Sequence, residues 1–295
     1  MMKKSVKFAR FLCAASLAVG ATAFPASAST VNTQWMAGYS GNEANTVLFW
    51  NFEGETNTER LSDKSDNGVN AVLRDTDNPP AVDQFASPGR FGGGALRVNK
   101  SGTGAGTGPA GVGSSVFMTN AAFMGGPASE LSVEFWHKPA STGVAYLVDN
   151  KADAGHHNGI QLQRGADGAL HFSLGNGTIS QELETDSLAW TVDQWYHIAI
   201  TFKNLGDTAQ IAIWRDGEQL AGSTLGNFGD VTFRSGAFTV GDRAIYSNGT
   251  NGHAIGSGLF DEIRISDVAH TYIPEPASAA LLGLGLTMFM RRRRN

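Results

Sequence analysis

The sequence predicts an all-β protein built as a sandwich of two antiparallel sheets. Glycine is abundant, at 37 residues against 9 prolines, and few stretches have the apolar spacing of an amphipathic helix. Many short runs instead alternate apolar and polar residues between turn-forming residues. Two of the turns, at 165–168 and 216–217, join runs that have the pattern of β-hairpins.

The first 28 residues have the pattern of a secretory signal peptide. Four basic residues precede the apolar run 11–23, and 26–28 is a small-x-small cleavage site. The apolar run is shorter than the roughly 20 residues needed to span a membrane. We therefore expect export. The only cysteine, Cys13, lies in this segment, so the mature domain has no disulfide available.

The polar segment 29–46 is predicted to lead into the domain, and the stretch 63–73 is an Asx-rich loop that runs into a short strand. The other predicted strands lie at 47–53, 94–98, 116–118, 131–138, 145–149, 159–163, 169–173, 195–202, 210–215, 218–221, 238–241 and 259–265. The glycine-rich stretch 101–115 and the acidic stretch 182–186 are predicted as loops.

The last strand, 259–265, is expected to dock the end of the domain onto its beginning. Alternation places Phe260, Glu262 and Arg264 on one face and the residues between them on the other. Burying an unpaired carboxylate is costly, so Asp261 and Glu262 need a cation, a metal or backbone donors.

The C-terminus combines a helix breaker, a short apolar helix and a basic end. The breaker is Pro274, Glu275 and Pro276, the helix is predicted at 277–290, and the basic end is Arg291, Arg292, Arg293 and Arg294. The arginines would stay on the cytoplasmic side of a membrane. Fourteen apolar residues are marginal for a span, and by length alone a buried helix is an alternative.

This tail, 271–295, resembles the PEP-CTERM sorting signal of Gram-negative bacteria. The resemblance implies transient anchoring in the inner membrane and recognition near Pro274 by an exosortase-type sorting enzyme. The protein would then reach the cell surface or the extracellular matrix.

The segments between the two ends resemble the laminin-G-like branch of the concanavalin A-like jelly rolls. The matching segments are 48–53, 63–71, 131–136, 195–199, 214–217 and 260–265, in the order of that family. The resemblance implies a jelly-roll sandwich over 47–270. It also implies a module that is usually non-catalytic, binds glycans or proteins, and often holds a structural calcium ion. The long stretch 101–115 departs from the pattern of that family.

The charge distribution argues against nucleic acid as a partner. Eight of the 22 basic residues lie in the two ends, which leaves 14 basic and 26 acidic residues between them. Such an acidic domain binds nucleic acid poorly but is compatible with divalent cations and neutral glycans.

Calcium prefers carboxylate, amide and carbonyl oxygens. The predicted ligands of a structural Ca²⁺ are Glu53, Asp63, Asp66, Asn67 and Asp261. The convergence of the first and last strands, which the family implies, would bring them together. In the alternative, Asp63 to Asn67 is an Asx turn and Asp261 pairs with an arginine.

Glu182, Glu184 and Asp186 raise the question of catalysis, because related jelly-roll glycosidases use such a triplet. Retaining chemistry needs two carboxyl groups only about 5–5.5 Å apart, which positions i and i+4 of a strand exceed. The family pattern also puts a connecting loop there, so we predict solvated residues and no enzyme.

Sugar rings stack on exposed aromatic side chains. Trp35, Trp190 and Tyr246 lie in loop-like sequence and are the predicted ligand-binding residues, whereas the other tryptophans are predicted to pack in the core. We expect an exported, non-catalytic surface or matrix protein that binds extracellular polysaccharide or a matrix protein. The alternatives are a glycoside hydrolase or lyase of the same fold, and a structural matrix protein without a specific ligand.

Overall fold

The computed structural model describes residues 30–32, 34–39, 43–74, 85–98, 115–118, 126–151, 157–233, 238–242 and 257–272. The described residues form β1 (Thr30–Asn32), β2 (Thr46–Trp50), β3 (Val72–Arg74), β4 (Phe85–Ala86), β5 (Ala95–Val98), β6 (Ser115–Met118), β7 (Pro127–Ala128), β8 (Glu130–Pro139), β9 (Ala145–Asp149), β10 (Asn158–Arg164), β11 (Leu170–Asn176), β12 (Ser180–Glu184), β13 (Tyr196–Asn204), β14 (Thr208–Arg215), β15 (Glu218–Gly226), β16 (Val231–Thr232), β17 (Phe238–Val240), β18 (Gly258–Ser266) and β19 (His270–Tyr272). A 3₁₀ turn (Gln34–Met36) and one helical turn, α1 (Asn57–Arg60), are the helical pieces of these residues. None of the helices among them is long and apolar enough to span a membrane.

The strands form two large antiparallel sheets that pack as a sandwich, which confirms the predicted fold class. One sheet has the order β12-β11-β10-β9-β17-β6-β3. The other has the order β15-β14-β13-β8-β18-β5-β4, with β2 also paired to β18. The main apolar core fills the space between them, with fully buried side chains such as Phe135, Phe172 and Phe260.

Local turn chemistry sets several strand boundaries. Asp216 and Gly217 have φ angles of 52° and 81°, the left-handed pair that a two-residue hairpin turn requires, and they join β14 to β15 as predicted. The predicted loop at 182–186 is wrong in part, because residues 180–184 form the edge strand β12. Leu183 packs on the core from this strand, while Glu182 and Glu184 face solvent.

The closing strand β18 lies in the middle of its sheet. It pairs with β8 along one side and with β5 and then β2 along the other. Within these pairs Ile265 lies opposite Leu48. The prediction that the end of the domain docks onto its beginning is confirmed.

A β-bulge changes the face assignment that simple alternation predicts for β18. The register with β8 shifts between Asp261 and Arg264, and Glu262 has a φ of 53°. The extra residue shifts the in–out alternation of the side chains by one position, so Phe260 and Ile263 both face the main core. Asp261 pairs with Trp136 on the outer face. The predicted grouping of Phe260 with Arg264 is therefore wrong.

The first and last described strands, with the residues that follow the first, cover the outer face of the eight-stranded sheet. Strands β1 and β19 pair in parallel, Thr30 beside His270 and Asn32 beside Tyr272. We call β1, β19 and residues 34–39 the terminal clasp. Its Trp35, Tyr39 and Tyr272 form a second apolar cluster on that face, with Phe49, Trp136 and Trp214 among its members.

A buried charge network lies beneath the terminal clasp. Glu134 accepts hydrogen bonds from Tyr39 Oη and, at 3.1 Å, from Arg264 Nη1, and its Oε2 lies 3.1 Å from His197 Nε2. Burial raises the pKa of Glu134, but the hydrogen bond and charge of His197, the charge of Arg264 and the Tyr39 hydroxyl together hold that pKa below its usual range.

Candidate functional site

Two of the predicted metal ligands lie together in a ring of backbone donors. Glu53 accepts hydrogen bonds from Gly93 N (2.8 Å) and Gly94 N (3.2 Å). Asp261 accepts from Arg90 N (2.6 Å) and from the N–H of Glu262 (2.8 Å). The loop between β4 and β5 therefore supplies the backbone donors that were one of the expected solutions for these carboxylates.

The glycines of this loop are required by close approach. A Cβ atom at Gly92 would lie 2.0 Å from Glu53 Oε1, and one at Gly94 would lie 2.1 Å from the Phe52 carbonyl oxygen. No side chain fits at these distances, so the run 92–94 allows the backbone to wrap closely around Glu53.

Burial and mutual repulsion raise the pKa values of both carboxyl groups at the bulge. Burial raises the pKa of Glu262 to about 7, although a hydrogen bond from Tyr39 N (2.9 Å) lowers it, and the charges of Glu53, Glu43 and Glu134 raise it further. Burial also raises the pKa of Asp261, with added repulsion from Glu262 and Glu53. Several carboxyl groups, whose ionised forms would repel one another, therefore share a poorly solvated region at the edge of the clasp.

The other predicted metal ligands form a separate loop beside β2. Asp63 accepts from Phe49 N, Ser65 N and Val69 N at 2.8–2.9 Å and from the Ser65 hydroxyl at 2.7 Å. Asn67 donates to the Val47 carbonyl at 3.0 Å. Asp66 is exposed. This arrangement is the Asx turn given above as the alternative.

The predicted ligands thus fall into two places. Among the residues that the structure describes, no group of three or more His, Cys, Asp or Glu side chains is arranged to hold a metal ion. A structural calcium ion stays a prediction. Glu53 and Asp261 are the two members of the predicted set that lie together, beside Glu262, where a cation would offset the repulsion between ionised carboxylates.

Thermal melting tests this prediction. If calcium binds the native state at Asp261, the melting temperature at pH 8 should rise with calcium concentration, and Asp261→Asn should remove the rise. The matched control is Asp66→Asn in the separate loop. A melting temperature that does not move at millimolar calcium would exclude the metal.

The predicted aromatic platform is wrong for both described tryptophans. Trp35 is 5% exposed and stacks on His197, with ring centroids 4.6 Å apart. Trp190 is 9% exposed, donates from Nε1 to the Gly168 carbonyl (2.8 Å) and packs in the main core. Both rings serve packing because their loops fold back onto the sheets. Tyr246 and the predicted sorting residues, 274–276 and 291–294, lie outside the described residues.

A polar surface instead occupies the outer face of the seven-stranded sheet. Side chains of directly opposed residues share a face, and the pairings form two rows across β9, β10, β11 and β12. The rows are Asp149, Gln161, Ser173 and Glu182, and then Tyr146, Gln163, His171 and Glu184. We call these eight residues the polar platform.

The platform combines amide, hydroxyl, imidazole, carboxylate and aromatic groups. Gln161 donates from Nε2 to Asp149 Oδ1 at 3.2 Å, which fixes the orientation of its amide. His171 lies between two carboxylates, with Nδ1 3.2 Å from Glu182 Oε1 and Nε2 3.7 Å from Glu184 Oε1. The Glu182 and Glu184 side chains are more than half exposed, and Tyr146, Gln161, Gln163 and His171 are partly exposed. Asp149 and Ser173 are buried and support the row from below.

Sequence reasoning missed this surface, although a signal was present. Gln161 and Gln163 alternate with core residues on β10, and His171 and Ser173 do the same on β11. The paired hairpin aligns the two sets. The signal was the polar residue at every second position of two paired strands, whereas the predicted site rested on aromatic residues in loops.

The sequence profile of the concanavalin A-like lectin/glucanases superfamily matches residues 110–272, which is more than half of the chain. The chain belongs to this superfamily. The match covers β6 to β19 and therefore the whole polar platform. The comparison with curated protein sequences finds no match.

Solved structures of low sequence identity are similar to this superfamily member over part of their length. One is botulinum neurotoxin type C, which interacts with two ganglioside molecules: TM-score 0.51 and 13% identity over 76% of this chain and 48% of that one. The binding domain of botulinum neurotoxin DC in complex with SialylT has a TM-score of 0.49 and 13% identity over 77% of this chain and 48% of that one. A leech intramolecular trans-sialidase has a TM-score of 0.37 and 17% identity over 48% and 22%. The chain thus spans about half the length of the neurotoxin structures.

Proposed function

We propose that this protein is an exported, non-catalytic module that binds polysaccharide at the polar platform. The platform carries the proposal, because its exposed and partly exposed amide, imidazole and carboxylate groups are spaced along two rows and can hydrogen-bond the hydroxyl groups of a sugar chain. Gln161 is already oriented by Asp149, so its carbonyl oxygen is available to accept. The Tyr146 ring ends one row and could pack on a pyranose face.

The acidic charge of the domain favours a neutral ligand over an acidic one. Glu182 and Glu184 end both rows of the platform and would repel uronates or sulfates. The superfamily and the ganglioside interaction of a structural neighbour support sugar binding in general terms. The signal peptide pattern and the sorting-signal resemblance support export, transient anchoring by the tail and a final place at the cell surface or in the matrix.

Glycan binding by residues 29–273 tests the proposal. We expect an array of neutral polysaccharides to give binders, and expect Gln163→Ala and Tyr146→Ala each to weaken binding about tenfold, because each removes one net contact. Gln219→Ala, on β15 of the other sheet, is the matched control and should bind like the parent.

Two other outcomes would replace the proposal. A blank array would favour a structural matrix protein without a specific ligand. Release of reducing ends by the parent protein, lost in Glu182→Gln or Glu184→Gln, would favour a glycoside hydrolase or lyase, since these two carboxylates flank His171 on the platform.

A further inference from the structure

The terminal clasp and the polar platform lie on opposite outer faces of the sandwich. The clasp covers the eight-stranded sheet, where Tyr272 packs on Trp214 with ring centroids 5.7 Å apart. The platform lies on the seven-stranded sheet, across the main core. We propose that the tail holds the clasp face next to the membrane and that the platform consequently faces away from it.

The length of the connecting chain carries this inference. Only four residues, 273–276, separate the buried Tyr272 from the first residue of the apolar tail, Ala277. The Cα atoms of Tyr272 and Ala277 can be at most about 18 Å apart. The two sheets and the clasp are layers that pack about 10 Å apart. Turning the platform toward the membrane would therefore lift Tyr272 to about 25 Å above the lipid once the platform side chains are included, which the connection cannot reach.

The first strand of the domain begins beside the last strand. Thr30 lies opposite His270 in the parallel pair, so the start of β1 and the end of β19 are only about 10 Å apart along the strands. The predicted signal peptide ends two residues before Thr30. Either membrane-inserted end would therefore hold the domain in the same orientation, with the clasp nearest the lipid.

Cysteine labelling of residues 29–295, the chain without its predicted signal peptide, on lipid vesicles tests the orientation. This chain has no cysteine of its own, and one new thiol is placed on the clasp by Ala37→Cys or on the platform by Glu182→Cys, both at exposed positions. Vesicles of phosphatidylethanolamine and phosphatidylglycerol hold the protein by its tail, and a bulky polyethylene-glycol maleimide measures access. Each variant is also made to end at Ile273, as a soluble reference.

We expect the thiol at 37 to react about fivefold more slowly on vesicles than in its soluble reference, and the thiol at 182 to react at the reference rate, because the short connection keeps them at different heights. About ten Gly and Ser residues inserted after Ile273 should remove the difference, since they extend the reach by about 35 Å. Equal protection at both thiols would overturn the inference.

This inference rests on the anchoring part of the proposed function, and the two fail separately. A chain that does not sediment with vesicles would disprove both the anchor and the orientation. A chain that sediments but labels equally at both positions would disprove the orientation alone. Glycan binding is measured on the soluble chain, so its outcome does not depend on either.

Discussion

Glu134→Ala should lower the free energy of unfolding by about 4 kcal/mol, because it leaves a buried Arg264 without its carboxylate partner. The same change removes the acceptor of Tyr39 and the contact with His197. Urea denaturation followed by tryptophan fluorescence measures the loss, and the melting temperature should fall by about 10 °C.

The control for this prediction is Glu218→Ala, which removes an exposed glutamate from the edge strand β15. Its cost should stay below about 1 kcal/mol. A loss of similar size in both variants would contradict the view that Glu134 neutralises the network under the clasp. If Glu134→Ala does not fold, Tyr39→Phe, which removes only the hydroxyl, should still cost about 1 kcal/mol.

The sequence was sufficient for the sandwich and for the central place of β18. Both follow from alternation, from turn residues such as Asp216 and Gly217, and from the resemblance of the segments to a known family. These signals are local, and the local preferences of these segments agree with their places in the fold. The bulge at Glu262 was not predictable in this way. The left-handed backbone conformation of a residue in an apolar strand depends on the tertiary contacts around it, which the local sequence does not contain.

The second apolar cluster explains why the sequence placed Trp35 wrongly. Trp35 lies in a polar segment that has no strand pattern beyond three residues, so the sequence around it indicates a surface loop. Its burial depends on pairing between β1 and β19, whose opposed residues Thr30 and His270 are 240 positions apart in the sequence. Contacts at such separation leave no trace in a local pattern.

Glu262→Gln should stabilise the protein at pH 8 by about 3 kcal/mol and have little effect at pH 4. The pKa of Glu262 is raised to about 7 in the fold, compared with an ordinary value of 4.5. The folded state therefore holds the proton more tightly than the unfolded state does. The stability that this proton contributes is fully present below pH 4.5 and is lost as the pH rises through 7.

Glutamine is the informative replacement because it stays neutral and keeps an oxygen that can accept from Tyr39 N. Melting curves of the parent and the variant in a chelator, between pH 4 and pH 8, should therefore diverge as the pH rises. Glu218→Gln, an exposed change, should follow the parent at every pH. Parallel curves for the parent and Glu262→Gln would contradict a buried, repelled carboxylate at the bulge. If calcium binds there, adding it at pH 8 should bring the parent toward the variant, since a divalent cation offsets the same repulsion.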